Sequence, residues 1–202
     1  MLLSIEAVKL NLHKPFIWAS GWNSPIYCDN RKTLGYPEIR SFIKKSLAQR
    51  IKQEFPQAES IAGVATAGIP QGVLVADFME LPFLYVRSKP KGHGLENLIE
   101  GWYQPAQKIV LVEDLVSTGG SSLKAVEALR KASLEVLGLA SIFSYGFDIA
   151  HTNFQQAQVN WFSLSNYHLL IDQGIKEGIV NPSQIDLLQK WREDPEKWEV
   201  NT

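Results

Sequence analysis

Residues 109–122 read IVLVEDLVSTGGSS: an apolar run ends in two adjacent carboxylates, Glu113 and Asp114, and enters a short loop of hydroxyl residues and glycines. Gly119 and Gly120 carry no Cβ, so an anion can approach the backbone closely there. Free N–H groups of the turn, and of a helix opening at Ser121, would point at that anion, and Ser117, Thr118, Ser121 and Ser122 add hydroxyl donors. Together they make an uncharged cradle for a phosphate dianion. Carboxylates touching the phosphate would repel it, but set slightly apart they can accept hydrogen bonds from a vicinal diol. A ribose 5-phosphate presents both groups. Acids near its C1 would also stabilise a developing oxocarbenium charge. A plain strand-to-helix turn with a serine cap accounts for the glycines and serines, but not for the acid pair in front of them. The segment has no Gly-Lys-Ser/Thr and no G-x-G-x-x-G, so it is neither a P-loop nor a dinucleotide turn.

A second loop, Arg87-Ser88-Lys89-Pro90-Lys91-Gly92-His93-Gly94, gathers three fixed cations and a histidine. Cations that close over a leaving pyrophosphate stabilise its charge as the bond breaks. A mobile lid with glycine joints would also exclude water from an activated ribose. His93 could protonate or hydrogen-bond the leaving oxygen. A solvated basic hairpin tip is the alternative for this loop taken alone.

Alternating strands and helices must position these loops. Apolar runs predict strands over 60–65, 83–86, 108–113, 136–143 and 159–163. Helical periods predict helices over 37–55, 68–80, 121–132, 167–176 and 183–192, with Ile39, Phe42, Ile43, Leu47, Ile51 and Phe55 on one face of the first. A short amphipathic helix is expected up to Leu12. Residues 88–104 break all periodicity. The expected fold class is α/β, a parallel sheet flanked by helices. Ligands of such sheets bind outside the carboxyl ends of the strands, which is where both loops fall.

The 202 residues suffice for one domain with a small extra lobe, and 45% hydrophobic with 20% charged residues is an ordinary globular balance. A net charge of −1 argues against non-specific nucleic-acid binding. Cys28 is the single cysteine, so no intrachain disulfide can form, and a small buried apolar role suits it. No signal peptide or membrane-spanning run is legible, and cytoplasm is the default location. His13, His151 and His168 lack metal-ligand spacing.

Four segments together resemble the type I phosphoribosyltransferases, and within them the orotate phosphoribosyltransferases. VLVEDLVSTGGSS (110–122) resembles the phosphoribosyl pyrophosphate signature. YVRSKPKGHG (85–94) resembles the lysine-histidine lid. SGWNSPIYCDNR (20–31) resembles a base-binding hood, and GVATAGIPQG (63–72) a pyrophosphate loop. The resemblance spans most of the chain and implies a division into a hood (1–36), an α/β core (37–165) and C-terminal helices (166–202). It implies the donor phosphoribosyl pyrophosphate and the acceptor orotate. Lys91, His93 and Asp114 would be catalytic. Arg87, Lys91 and His93 would meet pyrophosphate, reaching into the neighbouring subunit of a homodimer. Thr66, Ala67 and Gly68 would line the pyrophosphate site through backbone groups. Glu113 and Asp114 would hold the ribose, and Ser117, Thr118, Gly119, Gly120 and Ser121 the 5′-phosphate. Tyr27, Cys28 and Ser117 would face the base. Mg²⁺ would be held mainly by the donor's own oxygens and waters, with no protein metal ligand assigned.

The sequence departs from the family pattern in four places. Ser88 stands where some members carry a lysine, with Lys89 as the substitute. Ala19 and Ala67 likewise replace lysines. Ser144-Tyr145-Gly146 occupies the stretch where some members place an arginine for the base's carboxylate, leaving Arg31 or hood backbone N–H groups for that task. Two further readings keep the fold: the same donor with another base such as a purine, and a non-catalytic donor sensor that binds nucleic acid.

Overall fold

A computed structural model describes residues 1–12, 14–18, 21–89 and 98–198. The hood comes first, with β1 (Val8–Leu10), β2 (Phe16–Ile17), β3 (Asn23–Ser24) and β4 (Ile26–Cys28), followed by a 3-10 turn over Asn30–Gly35. The core follows as α1 (Pro37–Glu54), β5 (Ser60–Val64), α2 (Gly68–Met79), β6 (Phe83–Val86), β7 (Ile99–Glu100), β8 (Lys108–Val116), α3 (Gly120–Lys131), β9 (Glu135–Ser144), α4 (Asp148–Gln156) and β10 (Asn160–Asn166). Then come α5 (Tyr167–Lys176), a 3-10 turn over Pro182–Gln184 and α6 (Ile185–Glu193).

Six strands form the main sheet in the order β10-β9-β8-β5-β6-β7, parallel throughout except for the edge strand β7. Strand β8 shows why the sheet needs helices on both faces. Ile109 and Leu111 pack into the cluster shared with α3 and α4, through residues such as Leu129, Ala150 and Phe154. Their neighbours Val110 and Val112 enter the opposite cluster, with Ile43, Leu47 and Ile51 of α1 and Val75 and Ala76 of α2. The stretch Ile109–Val112 is therefore apolar at every position, because its side chains alternate between two buried faces. A third cluster joins the hood to the far end of the chain: Val8 and Ile26 pack with Phe143, Tyr145, Tyr167, Leu188 and Trp191.

Three expectations are corrected. The first twelve residues form turns and a strand rather than a helix: Glu6 adopts a left-handed φ of 53°, and β1 pairs antiparallel with β4. Sequence-distant pairing overrides the local helical pattern. Phe42 lies off the buried stripe of α1 and stays 54% exposed. The irregular stretch after the lid contains β7, which returns antiparallel to β6 with Val86 opposite Ile99. Among the described residues no helix is long and apolar enough to cross a membrane.

Candidate functional site

The chain reverses its direction of travel across the sheet between β5 and β8. After β5 it builds outward through β6 and β7; it then returns to the other side of β5 to lay down β8, β9 and β10. The connections leaving β5 and β8 therefore part around a crevice at the sheet's carboxyl edge, the place where such folds bind ligands. Gly63 pairs with Val112, so the loop holding Thr66 and Ala67 faces Glu113 and Asp114 across one strand spacing. The Ala65–Thr66 peptide is cis.

The structure places the phosphate-cradle residues as one unit. Ser117 and Thr118 leave β8, Gly119 caps α3 with φ +82°, and Gly120 and Ser121 form the first turn. Only glycine takes that φ without cost, and a Cβ there would stand 2.7 Å from the Phe154 ring. Asn153 of α4 donates from Nδ2 to the Thr118 carbonyl at 3.0 Å and fixes the loop from behind. Neither α2 nor α3 is capped by a side chain, so both helix starts leave first-turn amides without a side-chain partner, the arrangement that suits an anion. Across it, Gly68 of α2 approaches β8 so closely that a Cβ would meet the Val112 carbonyl oxygen at 2.5 Å and Glu113 Oε1 at 3.3 Å.

Glu113 is only 5% exposed. Burial pushes its carboxyl well above the ordinary carboxylate range, and the negative charge of Asp114 adds to the push. Asp114 is raised as well, chiefly by burial, with a hydrogen bond from Glu113 and the charge of Arg31 pulling the other way. Glu113 Oε1 accepts from the Asp114 amide at 3.1 Å. A buried acid and its half-buried neighbour are thus held where a diol, or a cation carried by a ligand, would relieve them. This has a pH consequence. A carboxyl whose folded value lies above its unfolded value near 4.5 favours folding most below that unfolded value, and loses this contribution as pH rises through the folded value. Ligand-free Glu113→Gln should therefore melt higher than the parent at about pH 8, and its Tm should change less between about pH 5 and 8. Parallel Tm profiles would show that the acid pair stores no such repulsion.

The hood is bolted to this acid loop. Asn30, fully buried, donates from Nδ2 to the Asp114 carbonyl at 2.7 Å; Thr33 Oγ1 donates to the Asn30 carbonyl at 2.6 Å; and Gln71 Nε2 of α2 reaches Thr33 Oγ1 at 3.2 Å. No local pattern announces Asn30 as the partner of the Asp114 carbonyl 84 positions away, or Thr33 and Gln71 as its supports. Tyr27 and Cys28 lie on the same hood strand. Burial, with Asp114 and Asp29 adding charge repulsion, pushes the Cys28 thiol far up, which suits a small packing residue and not a nucleophile. Tyr145 is 2% exposed, and its ring sits 4.7 Å from Trp18, 5.6 Å from Phe147 and 6.0 Å from Trp191. The Ser144-Tyr145-Gly146 stretch is therefore the aromatic floor beneath the hood. Trp18 and Tyr167 belong to the same packing, and Phe162 to the core.

At the lid's base, Arg87 continues β6. Its amide donates to the Leu98 carbonyl at 2.8 Å and its Nη1 pairs with Glu100 at 3.2 Å. Arg87 Nε also donates to the carbonyl of Lys89 at 3.2 Å. Lys91 and His93 lie outside the described residues. Among the described residues no cluster of His, Cys, Asp and Glu is arranged to hold a metal by itself.

Comparison with known proteins agrees with this geometry. Residues 36–155 match the Phosphoribosyl transferase domain family. The orotate phosphoribosyltransferase of Phocaeicola vulgatus is 54% identical over 199 residues, covering 98% of this chain and 94% of that protein. The orotate phosphoribosyltransferase of Cytophaga hutchinsonii is 56% identical over 197 residues, with the same two coverages, 98% and 94%. The crystal structure of orotate phosphoribosyltransferase from Aeropyrum pernix is similar in fold, with a TM-score of 0.77 and 28% identity, covering 89% of this chain and 97% of that one. With a domain match over more than half its length and relatives this similar from end to end, the chain belongs to the phosphoribosyltransferase family and, within it, to the orotate phosphoribosyltransferases.

Proposed function

We propose that this chain transfers ribose 5-phosphate from phosphoribosyl pyrophosphate to orotate, giving orotidine 5′-monophosphate and pyrophosphate in de novo pyrimidine synthesis. The observation that carries the reading is the junction of β8 and α3, where a short loop leads from the buried Glu113 and half-buried Asp114 to an uncapped, glycine-rich helix start. In this reading Ser117, Thr118, Gly119, Gly120 and Ser121 hold the 5′-phosphate. Glu113 and Asp114 accept from the ribose hydroxyls. Thr66, Ala67 and Gly68 offer backbone groups to the pyrophosphate, and Arg87, Lys89, Lys91 and His93 close over it. Tyr27, Cys28 and Ser117 contact the base.

The base nitrogen attacks C1 as the bond from C1 to the pyrophosphate oxygen breaks. Positive charge then grows on the ribose ring, and Asp114, already poorly solvated, stabilises it. His93 and Lys91 neutralise the leaving oxygens, and the closed lid keeps water from C1. Mg²⁺ would be held mainly by the donor's own oxygens and by waters, in keeping with its reluctance to dehydrate, with no protein side chain assigned to it. When bound with the donor, the ion offsets pyrophosphate charge. We propose a single domain, a homodimer with each lid serving the neighbouring site, and a cytoplasmic location.

Purified protein given donor, orotate and Mg²⁺ should form orotidine 5′-monophosphate, followed by the fall in orotate absorbance. Turnover of hypoxanthine in place of orotate would overturn the assignment of the base, and donor binding with no turnover of any base would overturn the catalytic reading.

A further inference from the structure

The acceptor proposed above carries a ring carboxylate that stays ionised at neutral pH. Glu113 and Asp114 already make the crevice negative, so a second anion needs a positive partner or a set of N–H donors. The Tyr145 stretch supplies none, because its side chain is turned into the aromatic floor.

Arg192 is engaged with the aromatic floor itself, donating to the Gly146 carbonyl and lying over the Tyr167 ring, 5.8 Å from its centroid. Lys32 donates to the Glu6 carbonyl at 3.2 Å, on the side of the first turns. Arg87 pairs with Glu100 at the lid's base. Arg31 is placed differently. It directly follows Asn30, whose side chain is fixed to the Asp114 carbonyl at 2.7 Å, and it lies in the 3-10 turn that begins just after the hood strand ends at Cys28. Its Nε is held by Asp29 Oδ1 at 2.6 Å, while Asp29 is anchored through its own amide to the Ala7 carbonyl at 2.7 Å. The two terminal nitrogens have no partner among the described residues, and the side chain is 61% exposed.

We propose that Arg31 is the specificity-determining residue for the acceptor: its open guanidinium edge receives the ring carboxylate of orotate, so that orotate is selected over neutral pyrimidines. The proposal rests on the reading of the preceding subsection. Asp29 acts as the positioning residue, fixing the plane of the guanidinium so that both terminal N–H groups can meet one carboxylate. A charge in this place is felt inside the site, since Arg31 offsets part of the upward push on the Asp114 carboxyl and interacts with Tyr27 as well.

The test is steady-state kinetics of the full chain and of Arg31→Leu and Arg31→Lys, with orotate and uracil as acceptors and the KM of the donor measured in parallel. Because the side chain is largely exposed, the variants should fold, as a melting curve will show. Arg31→Gln, neutral but closer in length, keeps the test available if the leucine variant does not fold. The expected result is a roughly 10- to 100-fold rise in KM for orotate in Arg31→Leu, with partial recovery in Arg31→Lys. The donor's KM and the low turnover of uracil should stay within about twofold. A KM for orotate that stays within about threefold of the parent's would overturn the proposal and leave the carboxylate to hood backbone amides. Equal losses with orotate and uracil would also overturn it, since they would mark a merely structural role. A parent protein that uses uracil but not orotate would overturn both the proposal and the reading beneath it.

Discussion

Asp114→Asn should lower kcat by about 10²- to 10³-fold, the effect typical of removing one preorganised charge from a transition state, while the folded protein melts no lower than the parent. The two halves of this expectation have one cause. Asp114 is held beside Glu113 with its carboxyl raised by burial, so its charge is costly in the resting protein. Asparagine keeps the shape, and the Asn30 bond to the Asp114 carbonyl is to the backbone and survives the change. Stability is spared because a repulsion is removed; turnover is lost because the charge that meets the oxocarbenium ion is gone. The donor's KM should change much less than kcat, as diol hydrogen bonds persist in weakened form. A kcat within about fivefold of the parent would show that the charge does not act at C1. The same variant tests the lid. If Lys91 reaches the neighbouring site, then mixing inactive Lys91→Ala and Asp114→Asn proteins under subunit exchange should restore activity to about a quarter of the parent level. Half the dimers are then mixed, and each has one intact site. No recovery would mean that each lid serves its own chain.

Gly68→Ala should cost about 2 kcal/mol or more in stability, seen as a fall in Tm of roughly 4–8 °C, and should also depress turnover. The added methyl would stand 2.5 Å from the Val112 carbonyl oxygen and 3.2 Å from the Glu113 Cα. Both neighbours belong to the central strand of the sheet and cannot swing aside as a flexible side chain could. The first turn of α2 must lift, and it carries away both the backbone of the Thr66–Ala67 loop and the wall against which Glu113 is set. Gly35 is the control: a Cβ there meets nothing within 4 Å. If Gly68→Ala and Gly35→Ala behaved alike in melting and in kcat, the close approach of α2 to β8 would not matter.

The sequence was most legible where burial is continuous. Strands β5, β8 and β9 carry apolar runs because both their faces are covered, β6 is a short apolar run, and the edge strand β10, with only Phe162 buried, was legible from its first residues alone. The cradle was legible for a different reason: glycines and hydroxyls following an acid pair have few other uses. The unread parts all depend on distant partners. Strands of two or three residues such as β2, β3 and β7 carry no period of their own and exist because another segment offers a ladder. Helix α4 was missed because only Ala150 and Phe154 of its nine residues are buried. In the site, Asn30, Thr33 and Gln71 look like ordinary polar residues of a turn and a helix. Their role as a chain of hydrogen bonds from α2 through the hood to Asp114 appears only when segments far apart in sequence are brought together.

The indole of Trp191 donates to the carbonyl of Asn23, 168 residues earlier in the chain, and its ring helps form the floor beneath Trp18. During synthesis the hood leaves the ribosome long before this anchor has been made. The sheet and the cradle can therefore form while the acceptor pocket still lacks its support. A nascent chain halted before Trp191 should be able to grip the donor but not to choose a base, so selectivity is the last property the growing polypeptide acquires.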